Sequence, residues 1–203
     1  MARNLSAPAV IRKAIEVGAV PAVAEVARKG GASWSAGELN YRAWVWKDHT
    51  GALTWDLHIG DAKFGPRMEE YGGLSVTVRG ARGSIPWPSA ADTSLYTFLQ
   101  EGLGRAVHFV EDRKDLASLL SSSEDVRRGE FFAWLPVANY PARLVEALIL
   151  SRDIGAVELE SDILSKLSGG PIRLNRGRSI DILSSAREWA VSYSKALGFS
   201  VSL

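Results

Sequence analysis

Four carboxylates stand at or near the ends of predicted elements, where side chains from distant parts of a chain can meet. Asp48 ends an alternating run, Asp92 opens a predicted helix, Asp112 follows a short apolar run, and Glu146 lies in a later helix. Carboxylate oxygens are preferred ligands of Mg²⁺, and two such cations can hold the attacking and leaving oxygens of a phosphodiester. Each of the first three also has a local interpretation, because Asp92 and Asp112 are favourable helix N-caps and Asp48 is an ordinary turn residue.

The predicted order of elements, a meander followed by helix, strand, helix, strand and helix, resembles that of the ribonuclease H-like folds. The resemblance implies a Mg²⁺-dependent nuclease with Asp48, Asp92, Asp112 and Glu146 as catalytic residues and Mg²⁺ as cofactor. The sequence departs from that family in two places: Asp48 lies in a tight turn rather than in mid-strand, and Asp92 stands where the family has Glu. This nuclease is the alternative functional hypothesis.

Arginine-rich loops are the second group of residues with binding chemistry. Arg79 and Arg82 frame one loop, and Arg173, Arg176 and Arg178 lie just before a long predicted helix. Guanidinium groups beside a helix N-terminus can hold a phosphate, a nucleic-acid backbone or a partner's carboxylates. These five arginines are therefore the predicted anion- or partner-binding residues, although loop arginines are often only solvated.

Two further groups of polar residues are interpreted as ordinary surface. Asp61 and Lys63 resemble the acid-x-Lys core of another nuclease superfamily, but they follow a hairpin strand and enter a Gly/Pro loop, so we interpret them as a solvated pair. Asp56 and His58 are predicted to share the wet face of the hairpin with Lys47. The three histidines do not have metal-ligand spacing.

Composition restricts the class of protein. The chain has 203 residues, 46% of them hydrophobic, with net charge +1 and no cysteine. These values predict a single globular domain over residues 1–203, without disulfides, thiolate metal sites or a global basic field for nucleic acid. The absence of cysteine and of any secretory or membrane-spanning segment leads us to expect a soluble, cytoplasmic protein with no membrane partner.

The clearest local pattern is a hairpin over residues 41–59. Two alternating runs flank Asp48–Gly51, which we interpret as a four-residue loop with Lys47 opposite Ala52. In this register Trp44 lies opposite Trp55, and the tryptophans share one face of the sheet.

Other elements follow from periodicity, caps and breakers. A helix is predicted from Ser6 with a break at residues 18–21 and a stop at Gly30-Gly31. Further strands are predicted at 74–79, 106–110, 131–137, 172–174 and 199–203, and further helices at 92–103, after Asp112, from Asn139, at 157–167 and at 179–197. This order indicates an α+β fold, with an N-terminal helix, a three-stranded antiparallel meander, and then alternating helices and strands that complete one mixed sheet.

The sequence therefore favours a non-catalytic interaction or ligand-binding protein of regulatory, adaptor or toxin-neutralising type. It would use a sheet face and the Arg-rich loops against an acidic partner, another protein or an anionic ligand, and nucleic acid is a possible partner. No cofactor is expected unless the nuclease alternative holds.

Overall fold

A computed structural model of the chain describes residues 4–68, 74–80, 85–89, 92–174 and 178–203. Within these residues the predicted α+β class is confirmed, with seven α-helices and a mostly antiparallel eight-stranded sheet. The sheet has the order β1-β2-β3-β4-β5-β8-β7, and β6 pairs with β4. Its strands are β1 (Glu25–Ala27), β2 (Gly31–Ala36), β3 (Leu39–Lys47), β4 (Ala52–Asp61), β5 (Ser75–Gly80), β6 (Ile85–Pro86), β7 (Val126–Arg128) and β8 (Phe131–Trp134).

A separate two-stranded ribbon pairs β9 (Ile172–Arg173) with β10 (Ser179–Ile180). The helices are α1 (Ala7–Glu16), α2 (Gly65–Met68), α3 (Ser94–Leu99), α4 (Arg113–Leu120), α5 (Tyr140–Asp153), α6 (Val157–Leu167) and α7 (Ile182–Leu197). A π-helical turn, Gln100–Gly104, continues α3, and a 3₁₀ turn, Val137–Asn139, precedes α5.

The chain divides into two compact units. The first unit comprises Met1–Ile59, Thr77–Phe109 and Arg127–Phe132, and the second comprises Gly60–Val76, Val110–Val126 and Ala133–Leu203. The expectation of one domain over residues 1–203 stays a prediction.

The N-terminal helix of the first unit begins as predicted and ends earlier. The Ser6 hydroxyl accepts a hydrogen bond from the N–H of Ala9, and the helix ends at Glu16. The predicted continuation to Gly30 is wrong, because residues 25–27 and 31–36 form β1 and β2. Gly30 has φ +85°, a conformation that a side chain disfavours, and it turns the chain between these two strands.

The hairpin of β3 and β4 forms where predicted, with a different turn. Gly51 has φ +88°, and its N–H donates to the carbonyl of Asp48 at 3.0 Å. The N–H of Asp48 donates to the carbonyl of Ala52 at 2.8 Å, so these two residues are paired across the hairpin. This geometry is a three-residue loop with a bulge at Gly51, which moves the register by one residue from the predicted pairing of Lys47 with Ala52.

The register shift reverses the predicted faces of β3. Ala43 and Val45 now share the buried face with Trp55, and Trp44 lies on the opposite face. The predicted pairing of Trp44 with Trp55 is therefore wrong. Trp55 instead packs with Phe131 at a ring-centroid distance of 6.2 Å and lies against the π-helical turn at Gly102.

The second unit is built around α5. Every residue of this helix from Tyr140 to Ser151 is buried, and α4, α6 and α7 pack on it. A helix surrounded in this way has little amphipathic character, because all of its sides face protein. The starts of α4 and α5 and the bounds of α6 agree with the sequence prediction.

Two predicted strands do not form. No strand covers Ala106–Val110, where the N–H of Phe109 donates to the carbonyl of Ala106 and closes a turn. The tail Phe199–Leu203 is also irregular, since the N–H of Val201 is bound by the Ser194 hydroxyl at 2.8 Å and not by a neighbouring strand. Short apolar runs do not distinguish a buried turn from a buried strand.

Candidate binding surface on the sheet

The predicted carboxylates of the first unit are held by their own neighbours. Asp48 lies in the hairpin turn, where one carboxylate oxygen accepts from the N–H and hydroxyl of Thr50 and from the N–H of Ala52. These hydrogen bonds, led by that of the Thr50 hydroxyl, lower the pKa of Asp48. Asp92 accepts from the N–H and hydroxyl of Ser94 at the start of α3. Both carboxylates therefore stabilise local backbone turns.

The predicted carboxylates of the second unit also have structural partners. Asp112 caps α4 by accepting from the N–H of Asp115 at 2.7 Å. Glu146 is 4% exposed, and its carboxylate accepts from the Tyr193 hydroxyl at 2.9 Å. Within the described residues, no group of three or more His, Asp or Glu side chains is arranged to hold a metal ion. The geometry thus offers the nuclease alternative no metal centre in that part of the chain.

Asp61 and Lys63 do not form the predicted solvated pair. The Asp61 side chain is fully buried and accepts from Arg113 Nε at 2.6 Å, while Lys63 pairs with Asp153 at 2.5 Å. Arg113 Nη1 also binds Asp153, at 2.7 Å. The solvated interpretation is wrong for Asp61, because this carboxylate anchors a buried ion-pair network in the second unit.

The predicted arginines have different surroundings. Arg82 and Arg176 lie outside the described residues. Arg173 and Arg178 are exposed on the β9–β10 ribbon. Arg173 lies opposite Ser179 in the strand pairing, and the N–H of Leu174 donates to the carbonyl of Arg178. Alternation along the ribbon places Arg173 and Arg178 on opposite faces, so they do not form one cradle.

The long helix that follows the ribbon is already capped. Asp181 accepts from the N–H of Ser184 at 2.7 Å at the start of α7. A carboxylate at this position satisfies a free N–H and offsets the positive end of the helix dipole, which makes the N-terminus less attractive to an external anion. The partner-binding role of Arg173 and Arg178 stays a prediction.

Arg79 lies on a sheet surface that we call the open sheet face. It comprises the side chains that point away from the buried face of β3, β4 and β5, namely Arg42, Trp44, Trp46, Thr54, Asp56, His58, Thr77 and Arg79. The buried face carries Ala43, Val45, Leu53, Trp55, Leu57, Val76 and Val78, none more than 5% exposed. Strand alternation therefore separates a closed apolar side from a polar and aromatic side.

An ion pair joins β4 and β5 on the open sheet face. Arg79 Nε and Nη2 donate to the two carboxylate oxygens of Asp56 at 2.7 and 3.0 Å. This two-point contact fixes the plane of the guanidinium group. Arg79 keeps 34% of its side-chain area exposed, so it is both oriented and accessible.

His58 lies next to this pair and is partly buried. Burial is the largest cause that lowers its pKa, and the charges of Arg42 and Arg79 lower it further, while that of Asp56 raises it. His58 Nδ1 and the Thr77 hydroxyl are 3.5 Å apart. Among the described residues, the open sheet face thus carries two guanidinium groups, Arg42 and Arg79, and one carboxylate, Asp56, around His58.

Two indoles complete the open sheet face. The Trp44 ring lies directly over Gly31 of β2, where a Cβ would come within 2.7 Å of it. Only glycine at position 31 lets this ring lie flat along the sheet. Trp46, two residues on, is 37% exposed. The surface therefore combines flat aromatic area with cationic groups, which suits recognition of acidic or planar groups.

The sequence pattern identified the strands of this surface but predicted the wrong set of side chains on each face of β3. It placed Trp44 and Trp46 with Trp55, and Asp56 and His58 on the other side with Lys47. The signal that would have given the correct grouping is Gly51 directly after Asp48-His49-Thr50, since a type I turn followed by glycine commonly forms a bulged three-residue loop.

Comparison with protein-family models, with curated proteins and with solved structures returned no match. In the described part of the chain, no helix has both the length and the apolar character needed to cross a membrane.

Proposed function

We propose that this protein is a non-catalytic interaction protein that docks an acidic segment of a partner protein on the open sheet face. The observation that carries the proposal is the exposure of Trp46 beside Trp44 and the oriented Arg79, on a sheet whose other side is closed. Tryptophan and arginine are the residues most often responsible for binding energy at protein interfaces.

Charge favours an acidic partner. The open sheet face presents two guanidinium groups, Arg42 and Arg79, which are donors suited to the carboxylates of an acidic segment. Nucleic acid is the less favoured partner, because its binding depends on many simultaneous phosphate contacts and the whole chain has a net charge of only +1. No group of three or more His, Asp or Glu side chains among the described residues is arranged to hold a metal ion, and the proposal involves no metal chemistry. The lack of cysteine is compatible with a cytoplasmic site of action.

A peptide selection tests this proposal without knowledge of the partner. A random peptide library is selected on the wild-type protein, and the enriched peptides are then measured against Trp46→Ala and Arg42→Gln. We expect enriched peptides to carry Asp or Glu beside an apolar residue. Each variant should weaken their binding by at least about tenfold, since interface hot spots contribute about 2 kcal/mol or more.

Val191→Ala is the control, because Val191 is another exposed apolar side chain, at 57%, and belongs to α7 and not to the sheet. This variant should bind the same peptides as the wild type. Peptides without acidic residues, or equal binding by Trp46→Ala, would refute the proposal. Stronger binding of single-stranded oligonucleotides than of any peptide would favour nucleic acid as the partner.

A further inference from the structure

The second unit contains a pocket of its own. It has a volume of about 430 Å³ and lies between the end of α5, the turn after β4 and the tail that follows α7. This volume is in the usual range of small-ligand sites. Its lining is divided between an apolar part, formed chiefly by Phe64, Ile149 and Phe199, and a cationic part formed by Lys63, Arg67 and Arg152.

Two of the three cations are already paired. Lys63 binds Asp153, and Arg152 Nε binds Glu160 at 2.7 Å while its Nη1 donates to the carbonyl of Ser202 at 2.7 Å. Arg67 is exposed and has no ion-pair or hydrogen-bond partner among the described residues. Among the described lining residues, Arg67 is therefore the cation whose charge is not matched by a carboxylate.

The acidic residue of the pocket does not cancel this charge. Asp153 is bound by both Lys63 and Arg113. Burial raises the pKa of Asp153, but the hydrogen bonds from these two cations outweigh it and lower the pKa. Asp153 is thus held as a carboxylate whose charge is matched by its own partners, and an incoming anion meets Arg67 and the outer side of Arg152.

The apolar part of the pocket presents an aromatic ring. Phe64 is 5% exposed and carries the Lys63 ammonium 4.9 Å from its centroid. Phe199 packs edge-on against it at 6.0 Å but is 44% exposed. A ligand with an apolar body would remove Phe199 from water, while a simple inorganic anion would leave it exposed.

We propose that this pocket binds an amphipathic monoanion, a carboxylate with an aromatic body, with its charge on Arg67 and its ring on Phe199. The proposal is independent of the acidic partner proposed for the open sheet face. Both features are required together, because an inorganic anion would not contact the apolar wall and a neutral apolar body would not bind the Arg67 guanidinium.

Calorimetric titration with 4-phenylbutyrate tests the pocket, with 4-phenylbutanol and inorganic phosphate as probes that each lack one feature. We expect the carboxylate to bind, and both other probes to bind at least tenfold more weakly. Arg67→Gln should weaken 4-phenylbutyrate binding by about tenfold or more, because the charge-assisted hydrogen bond to the carboxylate is lost. Phe199→Ala should also weaken it, and Arg12→Gln, at an exposed position on α1, should not.

The melting temperature without ligand shows whether each variant is folded. If Phe199→Ala does not fold, Arg67→Gln alone decides the test. Equal binding of 4-phenylbutyrate by Arg67→Gln and wild type would overturn the proposal. So would equal binding of the alcohol or of phosphate, or no binding of the carboxylate by the wild type.

Discussion

Replacing Glu146 with Gln tests the energetic cost of a buried carboxyl group in the second unit. Glu146 lies in the centre of α5, is 4% exposed, and accepts hydrogen bonds from the Tyr193 hydroxyl and the N–H of Leu74. Burial is the main cause that raises its pKa from 4.5 to about 7, against the opposing effects of these two hydrogen bonds and of Arg143. A Gln side chain keeps the carbonyl acceptor and removes the ionisation.

The magnitude follows from the two pKa values. One pKa unit corresponds to about 1.4 kcal/mol, so the change from 4.5 to about 7 corresponds to about 3 kcal/mol. Because the pKa is higher in the folded state, this contribution is fully present below pH 4.5 and is lost as the pH rises through about 7. The wild type should therefore lose about 3 kcal/mol of unfolding free energy, relative to Glu146→Gln, between these pH values.

Urea denaturation at pH 5, 6, 7 and 8, followed by tryptophan fluorescence and circular dichroism, measures the unfolding free energy of wild type and of Glu146→Gln. Glu158→Gln is the matched control, since Glu158 is an exposed residue of α6, and its difference from wild type should stay small at every pH. The free energy of unfolding should differ between Glu146→Gln and wild type by an amount that changes with pH. A constant difference would refute the inference that ionisation of Glu146 destabilises the folded state. A destabilised Glu146→Gln at pH 8 would show that the carboxylate is the favoured form.

Substitutions at three further positions test the fold around these sites. Arg113→Ala leaves the fully buried Asp61 carboxylate without its guanidinium partner. It should lower the unfolding free energy by about 3–5 kcal/mol, measured by urea denaturation. A loss under about 1 kcal/mol would contradict the buried ion-pair network. Gly102→Ala places a Cβ 2.8 Å from Trp55 Nε1 and should cost about 1–3 kcal/mol, seen as a lower melting temperature and altered Trp fluorescence; an unchanged melting temperature would contradict this close contact. Gly51→Ala puts a side chain at φ +88° and should cost about 1 kcal/mol, while Gly51→Asn should cost less, because Asn tolerates left-handed backbone; equal losses would argue against this turn.

Helix ends were predictable where a local signal specifies them. Ser6 and Asp112 cap the starts of α1 and α4 with side-chain hydrogen bonds, and Pro141 lies in the first turn of α5. The strands β1 and β2 were missed for the opposite reason. Residues 25–27 are exposed and unremarkable in pattern, and they become a strand only by pairing with residues 31–33. Pairing is a tertiary effect that local propensity does not contain.

The pocket of the second unit was not predictable from spacing. Arg67, Arg152 and Phe199 are far apart in sequence and none belongs to a motif, so only the packing around α5 and the path of the tail bring them together. The ion pair between Arg79 and Asp56 is similar, since it depends on the pairing of β4 with β5. Chemistry assembled from single residues on different elements leaves little trace in a sequence.

The open sheet face shows how one turn residue decides the character of a surface. In the register expected from a four-residue loop, Trp44 and Trp46 would face the core, and Ala43 and Val45 would face solvent. The bulge at Gly51 reverses this, so the smaller residues fill the core and the indoles lie outside. Apolar packing alone favours burying the larger rings, since buried area contributes about 25 cal/mol per Å².

The observed register therefore leaves the Trp46 ring partly exposed, on the face that also carries Arg42 and Arg79. Such an arrangement has an energetic reason if a partner later covers the ring. Destabilising the turn by Gly51→Ala and removing the ring by Trp46→Ala should then both weaken binding of acidic peptides, but only the first should lower stability through the turn. Peptide binding that is insensitive to both would leave the outward indoles without a binding role and would remove the argument for an interaction surface on this sheet.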